Sequence, residues 1–558
     1  MKRLARHLFR TAALALVMAT LAACGGTPAS SGPTESGAQS GGAESTVTIA
    51  ISGAWDSLCP MASTSNNADT VTSMIFESLF MPDGQGGYDG LLAESYEMSE
   101  DHTQMTIHLR QNVLWHDGEP MDADDVMFSV GLYTNGDYTS SRRLFFQRVA
   151  GCENSGIETS PGSAQVEKLD QYTVRITYKA PISETAALFN QNTFRVLPEH
   201  LLSDVAPADI QTNEFWSNPV GTGPFTYESD VPGESLTGAA FDDYYMGRPG
   251  CDKLVMRLVN GTNAVTALMA GDVDIISPYC GSINDADMDM AMALDGYTVE
   301  SVPSCNNTYL VLNSDVFTTP TIRKALAMLL DKDTMIQAAY QGRAEKSYSM
   351  YTARNIFYDQ SVVDELGYEF DPETAVQMLE DEGFDFGRTY TVAIAENPAR
   401  QAMMTVMQNT WSQYGLTLEI RTMDTQTCIS EMREGNVDMW VNGGTNMNVA
   451  NPMTSFLDWV LINDDGSYGA FNLSRVDDPT FMELENALSS AVTAEDVQAC
   501  ASDIQRLLLT DYDYIYMLNP NANYAVSDRI QGIDMDRMYV AFSTSGDWPA
   551  TAKAPPKN

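Results

Sequence analysis

The chain has 558 residues, 44% of them hydrophobic, and its 75 acidic against 31 Lys and Arg side chains give a formal net charge of −44. That length carries two or three domains with real cores, and the hydrophobic content is that of a globular protein, which argues against general disorder. The negative field opposes nucleic acid and anionic membrane faces as partners.

Lys2, Arg3, Arg6 and Arg10 open the chain as a cationic segment, and Thr11 to Ala23 is an apolar run too short to cross a bilayer of roughly 30 Å as a stable helix. Leu21-Ala22-Ala23-Cys24 closes that run, and Gly25 to Ser45 contains almost nothing that could bury itself. A coil of that length reaches about 25 Å. Val47 to Ile51 then alternates as a strand, and Trp55 to Pro60 breaks it. Asn67 to Phe80 predicts a helix with Val71, Met74, Ile75, Ser78 and Leu79 on one stripe. Met105, Ile107 and Leu109 alternate with polar residues as a half-buried strand, and His116-Asp117-Gly118 supplies a turn. Asp122 stands at an N-cap, with Asp125 three residues on, before a helix carrying Val126, Val130 and Tyr133.

Motifs for chemistry are sparse. Besides Cys24, the seven cysteines are irregularly spaced and odd in number, with no CxxC pair for a thiolate zinc site. Asp285, Asp287 and Asp289 lack the Gly and Glu that a calcium loop needs at its sixth and twelfth positions, where Met290 and Gly296 stand, so they read as a solvated acidic edge. His102 and His108 lie about 20 Å apart if they share a strand, too far for one metal, and His116 belongs to its turn. Gly221-Thr222-Gly223-Pro224 lacks the Lys of a phosphate loop and reads as a structural turn. No GxSxG elbow occurs. The expectation is no enzyme, no metal and no cofactor.

Residues 1–24 resemble a bacterial lipoprotein signal, which implies cleavage before Cys24 and lipidation of that cysteine. Phe76-Glu77-Ser78-Leu79-Phe80, Leu92 to Tyr96, Ile107 to Arg110, His116-Asp117-Gly118, Asp122 to Val126, Asn218 to Phe225, Ala270 to Ile275, Ile322 to Leu326 with Asp331-Lys332, and Asp371 to Ala375 occur in the order found in family 5 solute-binding proteins of ABC importers. The chain resembles that family, the oligopeptide, dipeptide and nickel binders, over roughly residues 46 to 545. The resemblance implies an α/β, two-lobed periplasmic-binding-protein type II fold with an extra domain on the first lobe and a hinge of two crossover segments. Carried over, residues 46–84, 219–306 and 521–558 make the first lobe, 85–218 the extra domain and 307–520 the second lobe, after a signal at 1–23 and a tether at 24–45.

The ligand region departs from the peptide-binding pattern. Gly435 to Trp440 is retained, but Val441 to Pro452 holds no carboxylate, where relatives place an aspartate for the peptide's α-ammonium group. Losing a buried anionic partner costs on the order of 3 to 5 kcal/mol. Either the ligand lacks a free amino terminus, or another acid meets it. Trp55, Tyr279, Trp440 and Trp459 are candidates for a stacking floor, and Asn442, Thr445, Asn446, Asn448 and Asn451 for neutral polar contacts. Asn306 and Asn307 stand beside the first expected crossover. The expected protein is a monomeric, lipid-anchored binder on the extracellular face of the cytoplasmic membrane, or periplasmic where an outer membrane exists. It delivers a peptide or similar polar solute to an ABC permease, whose partner ATPase subunits use ATP. An oligosaccharide or chelated-metal binder, a cell-surface hydrolase, and a sensory or adhesive lipoprotein are the alternatives.

Overall fold

The computed structural model describes residues 44–62, 66–83, 87–137, 141–153, 155–277, 281, 283–445, 468 and 472–533. Two large mixed sheets organise them. The first has seven strands in the spatial order Tyr297–Val302, Ala522–Ser527, Ile275–Ile276, Thr46–Ile51, Lys253–Leu258, Ser235–Ala240 and Phe225–Val231. Thr46–Ile51 is central and parallel to both neighbours. The expected alternation gives way there to burial of every residue from Val47 to Ile51, because both faces of the sheet are covered.

The second sheet has six strands in the order Ala344–Lys346, Tyr514–Pro520, Asn306–Leu312, Met439–Thr445, Thr389–Ala395 and Thr417–Met423. Apolar clusters cover both of its faces, one built on Leu310, Met439 and Val441 and the other on Val311, Ala393 and Trp440. The two sheets share a local device. Gly271 and Gly435 each take positive φ, and three residues later Asp274 and Asp438 are buried. Asp274 accepts from the Thr48 amide at 2.8 Å and Asp438 from the Thr391 amide at 2.8 Å. Each carboxylate thus ties its turn to a neighbouring strand and is paired with an arginine, Arg529 and Arg388 respectively.

A third, four-stranded antiparallel sheet joins Ala93–Met98, Gln104–Leu109, Thr173–Thr177 and Val166–Asp170. Gln104–Leu109 alternates in burial as expected, and helix Ala123–Thr134 opens with the full Asp122/Asp125 capping box. Among the described residues this sheet has no core of its own. Ile107, Trp115, Tyr133 and Val174 belong to one cluster with Ile49, Leu236 and Leu254 of the seven-stranded sheet.

The helix expected over Asn67 to Phe80 ends at Ser73, and Phe80 begins a short strand. The cause lies far along the chain. Gly223 N–H bonds to the Ile75 carbonyl at 2.9 Å and Phe225 N–H to the Met74 carbonyl at 3.1 Å, so these carbonyls serve the glycine turn instead of a continuing helix. A Cβ on Gly221 would sit 1.8 Å from the Ile75 oxygen, which explains the residue there.

Candidate ligand-binding cleft

Among the described residues the chain passes between the two large sheets twice, through Pro303-Ser304-Cys305 and through Asn521. The crossings are stitched together. Ser304 Oγ donates to the Pro520 carbonyl at 2.6 Å, Asn521 Nδ2 to Ser301 Oγ at 3.2 Å, and Cys305 packs on Ala522. Asn307 is buried beside them and fully engaged, donating to the Met350 carbonyl and accepting from Asn519 and Ser347.

A cleft of about 1020 Å³ lies over this crossing, lined from both sheets and by the crossing itself, Asn306, Asn307 and Pro520 to Asn523 included. Its volume is at the upper end for small-molecule sites, roughly 300 to 1,000 Å³. On the second-sheet side, helix Pro398–Gln413 starts at the Asn397 cap, whose Oδ1 accepts from the Arg400 amide at 3.0 Å. Arg400 is therefore in the first turn, where a cation opposes the helix dipole by about 0.3 to 1 kcal/mol. Its guanidinium lines the cleft and has no hydrogen-bonding or ion-pairing partner among the described residues. Burial lowers its pKa, while the phenols of Tyr340 and Tyr309 act in the other direction. Gly443 keeps the space open, since a Cβ there would lie 3.2 Å from Arg400 Nη2 and 3.1 Å from the Asn307 carbonyl.

On the first-sheet side, the cleft wall includes Ile283 to Ala286. The acidic edge expected at Asp285 to Asp289 forms a 3₁₀ turn and a short helix, and it meets the opposite lobe. Arg343 Nη1 donates to the Asp285 carbonyl at 3.1 Å and its second nitrogen pairs with Asp289, while Asn521 N–H bonds the Arg343 carbonyl at 2.9 Å. Burial raises the Asp285 pKa, offset in part by the hydrogen bond from Asn523.

The residues expected at the site separate. Trp55 lies away from the cleft, in a side cavity of about 350 Å³ that it shares with Trp216, Tyr227 and Asp230. Trp440 is 4% exposed and packs in the core, because alternation along its strand sends Met439 and Val441 to one covered face and Trp440 to the other. Asn442, next to Gly443, donates to the Tyr309 hydroxyl at 3.1 Å, and Thr445 pairs through its backbone with Asn306. Tyr279, Asn446, Asn448, Asn451, Trp459 and Cys24 lie outside the described residues. Asn306 and Asn307 do line the cleft. Arg400, Tyr340, Asn521 and Asn523 were not anticipated, and Asp285, expected on a solvated acidic edge, stands instead in the cleft wall. For Arg400 a signal existed: Asn397-Pro398 reads as cap and first turn, which puts an arginine at the wrong pole of a helix.

Among the described residues no group of three His, Cys, Asp or Glu could hold a metal ion. His116 is locked in its turn, its Nε2 2.9 Å from the Gly223 carbonyl and its Nδ1 accepting from Gly221 N–H, and burial lowers its pKa to about 4. Burial pushes the thiols of Cys59 and Cys251 up to about 12, which leaves them inert at neutral pH.

Known proteins resemble this one along most of its length. An oligopeptide-binding protein, AppA, from Bacillus subtilis is 22% identical over 563 residues, covering 95% of this chain and 96% of its own. A Brucella abortus protein named for ABC-transporter peptide binding is 29% identical over 380 residues, and the match spans 66% of each chain. The crystal structure of the ABC transporter substrate-binding protein CtaP from Listeria monocytogenes superposes with a TM-score of 0.78 at 21% identity, over 92% of this chain and 99% of that one. The sequence pattern described as bacterial extracellular solute-binding proteins, family 5, matches residues 87–467, more than half of the chain, and the protein belongs to that family.

Proposed function

We propose that this chain is the substrate-binding component of an ABC importer, taking a short peptide or similar polar solute with a free carboxylate into the cleft between its lobes. The observation that carries this reading is the Arg400 guanidinium, which lines the cleft without a partner among the described residues. A half-buried guanidinium left unpaired is unfavourable, and a ligand carboxylate restores a bidentate, charge-assisted pair. The names of the relatives in Bacillus and Brucella support a peptide. Ligand contacts to both walls are complete only when the lobes close, so binding biases a hinge equilibrium at the two crossings toward the closed state. The permease then receives the solute, and its partner ATPase subunits use ATP. The protein acts by binding, as a monomer held by lipid on Cys24 through residues 24–45, outside the cytoplasmic membrane. In this reading residues 46–84, 219–306 and 521–558 form the first lobe, 85–218 its extra domain and 307–520 the second, and Asn442, Thr445, Asn446, Asn448 and Asn451 are proposed as neutral polar contacts to the ligand.

The test is isothermal titration of the purified protein with a random tripeptide pool and with the same pool C-amidated. Binding of the free-acid pool at least tenfold tighter than the amidated one, with the difference abolished by Arg400→Ala, supports the reading. Equal binding of both pools by the unaltered protein overturns it.

A further inference from the structure

A second cavity, of about 350 Å³, shares no lining residue with the cleft and takes in Trp55, which the cleft leaves unused. Three segments meet there. The loop after the central strand Thr46–Ile51 brings Trp55 and Asp56, the 3₁₀ turn Glu214–Ser217 brings Trp216, and the hairpin of Phe225–Val231 and Ser235–Ala240 brings Tyr227 and Asp230. Thr46–Ile51 runs parallel to Lys253–Leu258, so this loop leaves the sheet at its carboxyl end, where open α/β sheets hold their ligands. The same loop divides the two spaces, with Ser52 on the cleft and Ala54 in the side cavity.

The aromatic walls are fixed from behind. The Trp216 indole N–H donates to the Ile210 carbonyl at 2.5 Å, and its ring meets Phe215 and Phe76 edge-on, with centroids at 4.8 and 5.9 Å. Tyr227 donates its hydroxyl proton to Asp230 Oδ1 at 2.6 Å. The indole donor of Trp216 and the phenol donor of Tyr227 are thus spent inside the protein. The lining otherwise presents the carboxylates of Asp56 and Asp230 and three aromatic rings, and no Lys, Arg or His lines the cavity among the described residues. An anion or a sugar calls for donors, whereas carboxylates among aromatic rings call for positive charge. Ala54, Leu58 and Pro232 add apolar surface, which suits a cation clad in methyl groups better than a hydrated primary ammonium. The volume is at the lower end for small-molecule sites, roughly 300 to 1,000 Å³.

We propose that this side cavity binds a small organic cation of the quaternary-ammonium class, through cation–π contact with Trp55, Trp216 and Tyr227 and the charge of Asp56 and Asp230. The site lies outside the interlobe cleft and does not depend on what the cleft holds. The negative field of the whole chain, with a formal net charge of −44, raises the local concentration of such a cation.

The test is isothermal titration of the purified protein with choline and with 3,3-dimethylbutan-1-ol, which has the same shape with carbon in place of the charged nitrogen. Choline is expected to bind at least about fivefold more tightly than its neutral counterpart. Trp55→Ala and Asp230→Asn are each expected to weaken choline at least about fivefold, and Trp55→Phe to recover most of the Trp55 loss. Thermal unfolding verifies that the variants are folded. A saturating random tripeptide pool is expected to leave choline binding unchanged. Failure of choline to bind, equal binding of the neutral alcohol, or tighter binding of methyl glucoside than of choline overturns the proposal. Displacement of choline by the peptide pool overturns it as well, because the cation would then be entering the cleft.

Discussion

Arg323 and Arg400 belong to the same lobe and are used in opposite ways. Arg323 has a side chain 6% exposed, donates to the carbonyls of Phe317 and Asp511 at 2.9 and 2.6 Å, and pairs with Asp511 at 2.9 Å. Each of its three nitrogens is engaged inside the fold. Arg400 has its backbone capped and its guanidinium, at the cleft, uncommitted among the described residues. The contrast separates a charge that holds the structure from one held in reserve, and it rests on accounting for hydrogen bonds rather than on residue type.

The largest effect that can break this division is on stability. Arg323→Ala leaves Asp511 and the buried Asp513 uncompensated, and is expected to lower unfolding free energy by about 3 to 5 kcal/mol in urea denaturation. Arg400→Ala is expected to change it by less than about 1 kcal/mol while weakening peptide binding at least tenfold. A destabilisation by Arg400→Ala as large as that of Arg323→Ala would erase the distinction.

A buried acid in the other lobe sharpens the comparison. Glu77 is fully buried, accepts from Tyr244 at 2.7 Å and Tyr245 at 3.3 Å, and desolvation raises its pKa from 4.5 to about 7. The folded value exceeds the unfolded one, so the protonated carboxyl stabilises the fold fully below pH about 4.5 and this contribution is lost as pH rises through about 7. The loss is about 3 kcal/mol. Glu77→Gln should remove that part of the pH dependence, which denaturant titrations at pH 4.5 and 7.5 measure; an unchanged slope would show that another group titrates.

Two smaller effects probe the cleft itself. Gly443→Ala crowds Arg400 Nη2 and the Asn307 carbonyl, and a several-fold loss of affinity with stability nearly unchanged is expected by calorimetry. Arg343→Ala removes the pairing to Asp289, whose side chain is 85% exposed. Exposed pairs contribute about 0 to 1 kcal/mol, so affinity should fall by no more than about fivefold. A larger drop would promote Arg343 from a lobe contact to a main determinant of closure.

Local chemistry was legible in the sequence, and long-range chemistry was not. The Gln104–Leu109 strand and the Asp122 capping box depend on residues within one turn of each other and stand where their patterns place them. Helix Asn66–Ser73 stops early because a glycine turn some 150 positions later recruits its carbonyls, and no local period encodes that. Trp440 looked like a cleft aromatic because a strand covered on both faces offers no polar alternation to tell inside from outside. Asn523 and Asp285 are 238 positions apart, and only the crossing of the chain brings their amide and carboxylate to 3.0 Å.

The core shared by the four-stranded and seven-stranded sheets has a mechanical consequence. With Trp115, Tyr133 and Ile107 interdigitated with Ile49 and Leu254, the insertion cannot slide or tilt on its neighbour without opening voids in a close-packed interior. The sequence leads one to expect an extra domain beside the first lobe, but the packing joins the two sheets into one body. For the same reason the insertion is not a detachable module: excising it would strip one face of the seven-stranded sheet and leave a fragment prone to aggregate.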